Sequence, residues 1–422
     1  MGSIYDFIGV NKMFRNSTFR NGSLFTLFSF FNSGIAFLLL IVIAKYLDPD
    51  GYGKINLFNT LVTIIGFVVC LNTYGVISVN YFKQDKREFG KTVRAVSNIT
   101  VFMTIILLGT LLLFNSRIED WTGLPIKFQL IALIVSACSV YNNIILNIWR
   151  VKEDLCKYGL FSCSFALLSF VLTLILVVCL KQDWEGRINS FLYISIIYLI
   201  ISVYAIYRCG YFGNKPSKES YKDCLEFGVP LIPHSISSWL RQGLDRIFLN
   251  AFQSVGVVGL FSFSYNFANL IMIIGTAFNS ANSVYIYKNL AEGGPDVKTR
   301  LRKQTILVIV VFFFISILVC LFAPLFIDIF FPRYSDCSPY LVFQCFTAFF
   351  HCVYLQFVNF LFYFKKTREL MNITFTVSLV HVLSSMILSK ISVMLTLWVG
   401  LISGFLIALL VFLISRKYYK II

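Results

Sequence analysis

Asp48-Pro49-Asp50-Gly51-Tyr52-Gly53 opens an apolar run in which Asn56, Thr60 and Thr63 recur at i, i+4 and i+7. Shifted by 206 residues, the loop falls on Ser254-Val255-Gly256-Val257-Val258-Gly259, with Gly53 on Gly259. The three polar positions then fall on Ser262, Asn266 and Asn269, which are polar again. A loop and a striped helix that recur at half the chain length predict an internal duplication, with lobes of residues 1–212 and 213–422 joined by the polar segment 210–222.

Outward from this pair, the chain is a series of apolar runs of about 20 residues or more, enough to cross a hydrocarbon core about 30 Å thick. Twelve are read, near 21–45, 54–82, 92–115, 125–149, 157–180, 188–208, 224–250, 255–287, 304–331, 338–364, 367–389 and 391–415. The last two form a tight hairpin at Lys390, so eleven is the competing count; an even number returns Arg416, Lys417 and Lys420 to the side of Lys12, Arg15 and Arg20. The 422 residues are 58% hydrophobic and 13% charged, about half the charge of a soluble domain, which excludes a soluble enzyme. The expected fold is an all-α membrane protein, twelve transmembrane helices in two pseudo-repeated six-helix bundles around a central cavity.

The formal charge of +16 divides by side. Of 36 Lys and Arg, 26 fall on the side of the termini, 8 on the other side, and two, Arg241 and Arg246, inside a span. The bias predicts cytoplasmic termini. It also explains nearly all of the net charge, so nucleic acid is not an expected partner. The 11 Cys have no Cys-x-x-Cys spacing and read as packing residues. His351 and His381 stand alone in sequence and read as packing or cavity residues; neither a metal nor a cofactor is expected.

Other spans carry polar stripes: Thr26, Ser29 and Ser33; Ser136, Ser139, Asn143 and Asn147; Gln344, Thr347 and His351. A lipid-facing helix gains nothing from such a face. It suits either a wet cavity or hydrogen bonds between tightly packed helices. Taken together the stripes favour a cavity, with Asn143, Asn147, Asn266 and Asn269 as candidates to line it and meet a polar substrate.

The seventh span holds the ionisable cluster. His234, Ser238, Arg241 and Asp245 share one helical face at i, i+4, i+7 and i+11, with Arg246 beside them. Pro230 and Pro233 predict a kink or hinge near its start. The fork of Arg241 suits phosphate oxygens. Asp245 reads either as the structural partner of Arg241 or as a group that takes up a proton or cation. No Lys or Arg is evident at the middle of the other eleven spans, so the cytoplasmic ends of spans 1 and 4, Arg20 and Arg150, are candidates for the cavity mouth.

Ala44-Lys45-Tyr46-Leu47-Asp48-Pro49-Asp50-Gly51-Tyr52-Gly53, Phe227-Gly228-Val229-Pro230, and Asp245-Arg246 before the seventh loop resemble the Wzx-type lipid-linked oligosaccharide flippases. These form the polysaccharide transporter branch of the multidrug/oligosaccharidyl-lipid/polysaccharide exporter superfamily. The resemblance implies two six-helix bundles about a cavity, in the bacterial inner membrane, moving an undecaprenyl-pyrophosphate-linked O-antigen or capsule unit by alternating access. It implies no covalent chemistry, and membrane lipids and other polysaccharide-assembly proteins as partners. Arg241, Asp245 and Arg246 match the charged end of the family's seventh helix. The alternatives are a cation-coupled drug exporter of the same superfamily, which favours an acidic cavity, and a polytopic O-antigen polymerase, which needs a larger outer loop than 114–127.

Overall fold

The computed structural model describes residues 17–81, 83–213, 215–229, 232–364 and 366–419, excluding the side chains of 17–26, 234, 238, 242, 280, 281, 284 and 295. The described chain is all helix and connecting turns. Spans 1 to 6 are Ser17–Ala44, Pro49–Cys70, Lys86–Thr122, Ile126–Val151, Leu155–Leu174 with its continuation Ile175–Cys179, and Asp183–Arg208. Spans 8 to 12 are Val255–Glu292, Pro295–Phe330, Ser338–Tyr363, Thr367–Leu388 and Val393–Tyr418. Among the described residues these are the 11 helices long and apolar enough to cross a membrane. The seventh crossing is divided into Ile232–Gln242 and Leu244–Phe252, each too short to span alone. Twelve crossings result.

Lipid replaces water around this bundle. Leu113, Leu160 and Ile329 are more than 70% exposed, and such apolar faces are stable only against hydrocarbon. Within the first bundle span 2 packs on 4, 4 on 6, 1 on 5, 3 on 4 and 5 on 6. Six spans later the same pairings recur: 8 on 10, 10 on 12, 7 on 11, 9 on 10 and 11 on 12.

The two segments aligned in sequence start their helices in the same way. Asp48 Oδ1 caps span 2 by accepting the Gly51 N–H at 2.7 Å, and Ser254 Oγ caps span 8 by accepting the Val257 N–H at 3.2 Å. The helices then cross at their glycines. A Cβ on Gly53 would lie 2.2 Å from the Val255 carbonyl oxygen, and one on Gly259 would lie 1.8 Å from that of Pro49. Since 49 and 255, like 53 and 259, are separated by 206 residues, the contact is reciprocal about a local two-fold axis.

Further bonds continue this seam. Asn266 Nδ2 donates to the Tyr52 hydroxyl, Tyr334 Oη to the Leu47 carbonyl at 3.1 Å, and Asn250 Nδ2 to the Trp121 carbonyl at 3.0 Å. The Phe263 ring packs on Tyr52 and Tyr334, both fully buried. All of these lie toward the loops that follow odd-numbered spans, opposite the face that carries most of the basic residues. The bundles are therefore closed against each other at that end.

Two helix boundaries differ from the hydropathy reading. Span 2 ends at Cys70 instead of 82, because Leu71 and Asn72 turn left-handed with φ of 47° and 55°. Asn72 Nδ2 donates to Ser235 Oγ at 3.1 Å, and a Cβ on Gly228 would lie 2.3 Å from the Leu71 carbonyl oxygen. The link between bundles thus lies hard against this turn. Span 7, expected as one run from 224, is preceded by a separate helix, Lys218–Gly228, and begins at Ile232. Pro230 lies outside the described residues; Pro233 sits in the first turn, where its missing donor costs little.

Candidate functional site

The break in span 7 decides how its charges are presented. Trp239 fills the space above Gly243, so that a Cβ there would be 2.5 Å from the indole nitrogen. The Gly243 N–H still donates to the Trp239 carbonyl at 2.6 Å, while the helix restarts at Leu244. Arg241 and Asp245 flank this break and both reach a cavity of about 470 Å³ inside the second bundle, between spans 7, 8, 10, 11 and 12. Ser235, Ser237, Gln344, Thr347, His351 and Tyr354 supply its other polar groups.

Arg241 Nη1 donates to Ser378 Oγ at 2.5 Å and to the Thr374 carbonyl at 3.4 Å, two groups one turn apart on span 11. Among the described residues no carboxylate lies within ion-pair distance of it, including Asp245. The i, i+4 pairing read from sequence is not formed. Asp245, 4% exposed, instead accepts from Ser385 Oγ and from His381 Nε2 at 3.1 Å. A carboxylate can only accept, so His381 donates to it from Nε2, and its Nδ1 lies 3.0 Å from Ser403 Oγ. Span 11 holds the two charges separately, Arg241 on Thr374 and Ser378 and Asp245 on His381 and Ser385.

A second cavity, also about 470 Å³, lies between the bundles on the basic side of the seam, lined by Ser29, Ser33, Arg150, Tyr158, Asn269 and Thr276 among others. Arg150 Nη2 donates to Asn147 Oδ1 at 2.6 Å and Ser78 Oγ at 3.3 Å. The third, about 390 Å³, lies inside the first bundle between spans 1, 4, 5 and 6 and contains Arg187.

The polysaccharide biosynthesis protein family matches this chain over residues 18–286. The chain belongs to that family. A Haemophilus influenzae protein of the Lsg locus is 23% identical over 393 residues, covering 92% of this chain and 95% of that protein. A second Haemophilus influenzae membrane protein is 25% identical over 360 residues, 84% of each. Among solved structures, an inward-facing multidrug resistance MATE family transporter of the MOP superfamily superimposes with a TM-score of 0.70 at 16% identity, covering 93% of this chain and 94% of the other. An outward-facing one gives 0.61 at 18% identity, covering 94% and 95%. The fold is thus the two-bundle, twelve-helix transporter fold of that superfamily.

For this polysaccharide biosynthesis protein the polar residues expected at a site divide into groups. Arg241 and Asp245 line one cavity; Asn269 and Arg150 line the one between the bundles; Asn143 lines the one in the first bundle. Asn266 bonds to Tyr52 in the seam and Asn147 to Arg150, and neither is among the residues lining these three cavities. Arg246 donates to Ser262 Oγ at 3.0 Å and lies 5.1 Å over the Tyr265 ring, beside the cavity wall. The side chains of Arg20, His234 and Ser238 lie outside the described residues.

His381, which stands alone in sequence, lines the Arg241 cavity, in keeping with a packing or cavity residue; the carboxylate it meets is 136 residues away along the chain. Arg187 is the residue sequence reasoning missed: a span 6 read from 188 leaves it outside, yet the helix begins at Asp183 and places it one turn inside the span. Among the described residues no three His, Cys, Asp or Glu side chains come together as a metal site would require.

Proposed function

We propose that this polysaccharide biosynthesis protein is a flippase that carries an undecaprenyl-pyrophosphate-linked oligosaccharide from the cytoplasmic to the outer leaflet of the bacterial inner membrane. The observation that carries this reading is Arg241: a cation in a largely apolar cavity with a few polar groups, and with no carboxylate on it among the described residues. An uncompensated charge in a membrane bundle is costly unless an anion or water meets it. Pyrophosphate oxygens match its free fork donors. The hydroxyl and amide groups of Ser235, Gln344 and Thr347 suit sugar hydroxyls.

With both termini in the cytoplasm, the closed seam faces the periplasm and the cavity between the bundles faces inward. The cycle then consists of loading from the inside, opening the glycine crossing, and release outside, with the lipid tail remaining in the bilayer. No covalent step is required.

A drug exporter for cations is less well supported, since the cavity carboxylate is already held by His381 and Ser385. Complementation separates the two. In a strain lacking its flippase, this chain restores surface polysaccharide and leaves drug resistance unchanged; raised resistance without polysaccharide would reverse the assignment.

A further inference from the structure

The cavity of the first bundle is the counterpart of the Arg241 cavity. It lies between spans 1, 4, 5 and 6, and the Arg241 cavity between spans 7, 10, 11 and 12 with span 8 added. Each holds one arginine fixed to two oxygens one turn apart on the fifth helix of its bundle. Arg241 uses Ser378 and Thr374. Arg187 Nη1 donates to Ser169 Oγ at 3.0 Å and Thr173 Oγ1 at 3.2 Å. The two arginines enter from different helices, span 6 in one bundle and span 7 in the other, so one cannot be the sequence copy of the other.

Among the described residues no carboxylate lies within 4.0 Å of Arg187, and its bonds to Ser169 and Thr173 use one of its three nitrogens. Its guanidinium lies 5.2 Å over the Phe191 ring. Asn32 Oδ1, in the same cavity, is buried with no hydrogen-bond partner among the described residues. The cavity therefore asks for a ligand that brings a negative charge to Arg187 and a donor to Asn32. Its walls combine the rings of Phe161, Phe165 and Phe191 with Ser139, Asn143 and Ser195, the mixture of apolar faces and hydroxyl or amide groups that suits a sugar ring. An ionised pyrophosphate brings no donor to Asn32 Oδ1, whereas a sugar hydroxyl does.

We propose that this cavity is a second, separate site that takes a carboxylated sugar residue on Arg187. The carboxylate would accept from the free Arg187 donors, a sugar hydroxyl would donate to Asn32, and the ring would lie against the aromatic wall. That such a residue is part of the transported glycan rests on the flippase reading; binding itself does not.

The test is binding of D-glucuronate to the purified full-length chain, by calorimetry and by shift of the thermal midpoint. D-glucose supplies the ring without the charge and acetate the charge without the ring. Saturable glucuronate binding is expected, with glucose and acetate each at least tenfold weaker. Arg187→Gln should weaken glucuronate at least tenfold, and saturating inorganic pyrophosphate should not displace it. No glucuronate binding, equal binding of glucose or acetate, displacement by pyrophosphate, or unchanged affinity in Arg187→Gln would overturn the proposal. Should Arg187→Gln fail to accumulate, Asn143→Ala should weaken glucuronate at least threefold, and an unchanged affinity is equally fatal. Glucuronate binding without rescue of polysaccharide export would instead sink the flippase reading and leave this site standing.

Discussion

Replacing Gly259 by Ala tests whether the glycine crossing holds the bundles closed. The added Cβ would meet the Pro49 carbonyl oxygen at 1.8 Å, where ordinary contact begins near 3.4 Å. The helices must therefore separate by about 1.6 Å at that point, the difference between those two distances. The neighbour is backbone, so no rotamer change relieves the clash. Overpacking of this kind costs about 1–3 kcal/mol. Because the clash exists only while the seam is closed, that cost shifts the closed population by about 5- to 150-fold. Separation also weakens the bonds from Asn266 to Tyr52 and from Tyr334 to Leu47.

Pulsed electron resonance between nitroxides at Glu119 and Lys390, both exposed beside the seam, reads the opening directly. The labels should be placed through a genetically encoded keto amino acid, since the chain has 11 Cys. Gly259→Ala should broaden or lengthen the distance distribution. Gly109→Ala, where a Cβ meets nothing within 4 Å, should leave it unchanged. An unaltered distribution in Gly259→Ala would refute the crossing as the element that seals this face.

Other outcomes follow from single contacts. Tyr52→Phe leaves the buried Asn266 amide without its acceptor and should favour the open form by about 1–3 kcal/mol, visible with the same label pair. His381→Ala strands the Asp245 carboxylate with Ser385 alone and should lower stability by about 1–3 kcal/mol, measured by thermal unfolding. Gly243→Ala drives a Cβ into the Trp239 indole and should cost about 1–3 kcal/mol, measured as a lower thermal midpoint.

What the sequence disclosed followed from periodicity and side preference. Hydrocarbon thickness imposes the length of each span, and eleven of them are continuous apolar helices. The duplication was legible because the cap, the glycine and the stripe recur in fixed order. What it withheld was direction. The stripe through Asn56 and Asn266 was read as a cavity lining, yet a polar face serves a helix–helix seam equally well, and Asn266 points at Tyr52. Helical spacing placed Arg241 and Asp245 on one face, but span 11 engages each with its own partners, so the ion pair does not form. Arg187 was missed because the apolar run begins only at 188, and hydropathy cannot tell whether the polar first turn of a span faces water or a bundle interior. His381 was hidden by distance along the chain.

The central claim is that Arg241 receives the pyrophosphate of a lipid-linked oligosaccharide as it crosses the membrane. The direct measurement is translocation of a fluorescent undecaprenyl-pyrophosphate oligosaccharide in proteoliposomes, followed by quenching from outside. The wild-type chain should expose labelled lipid at a rate that Arg241→Ala lowers by roughly 100-fold, since losing two charge-assisted hydrogen bonds costs about 3 kcal/mol or more. Arg241→Lys should retain part of the rate, having the charge without the fork. Equal rates for the wild-type chain and Arg241→Ala, at equal reconstituted amounts, would contradict the account.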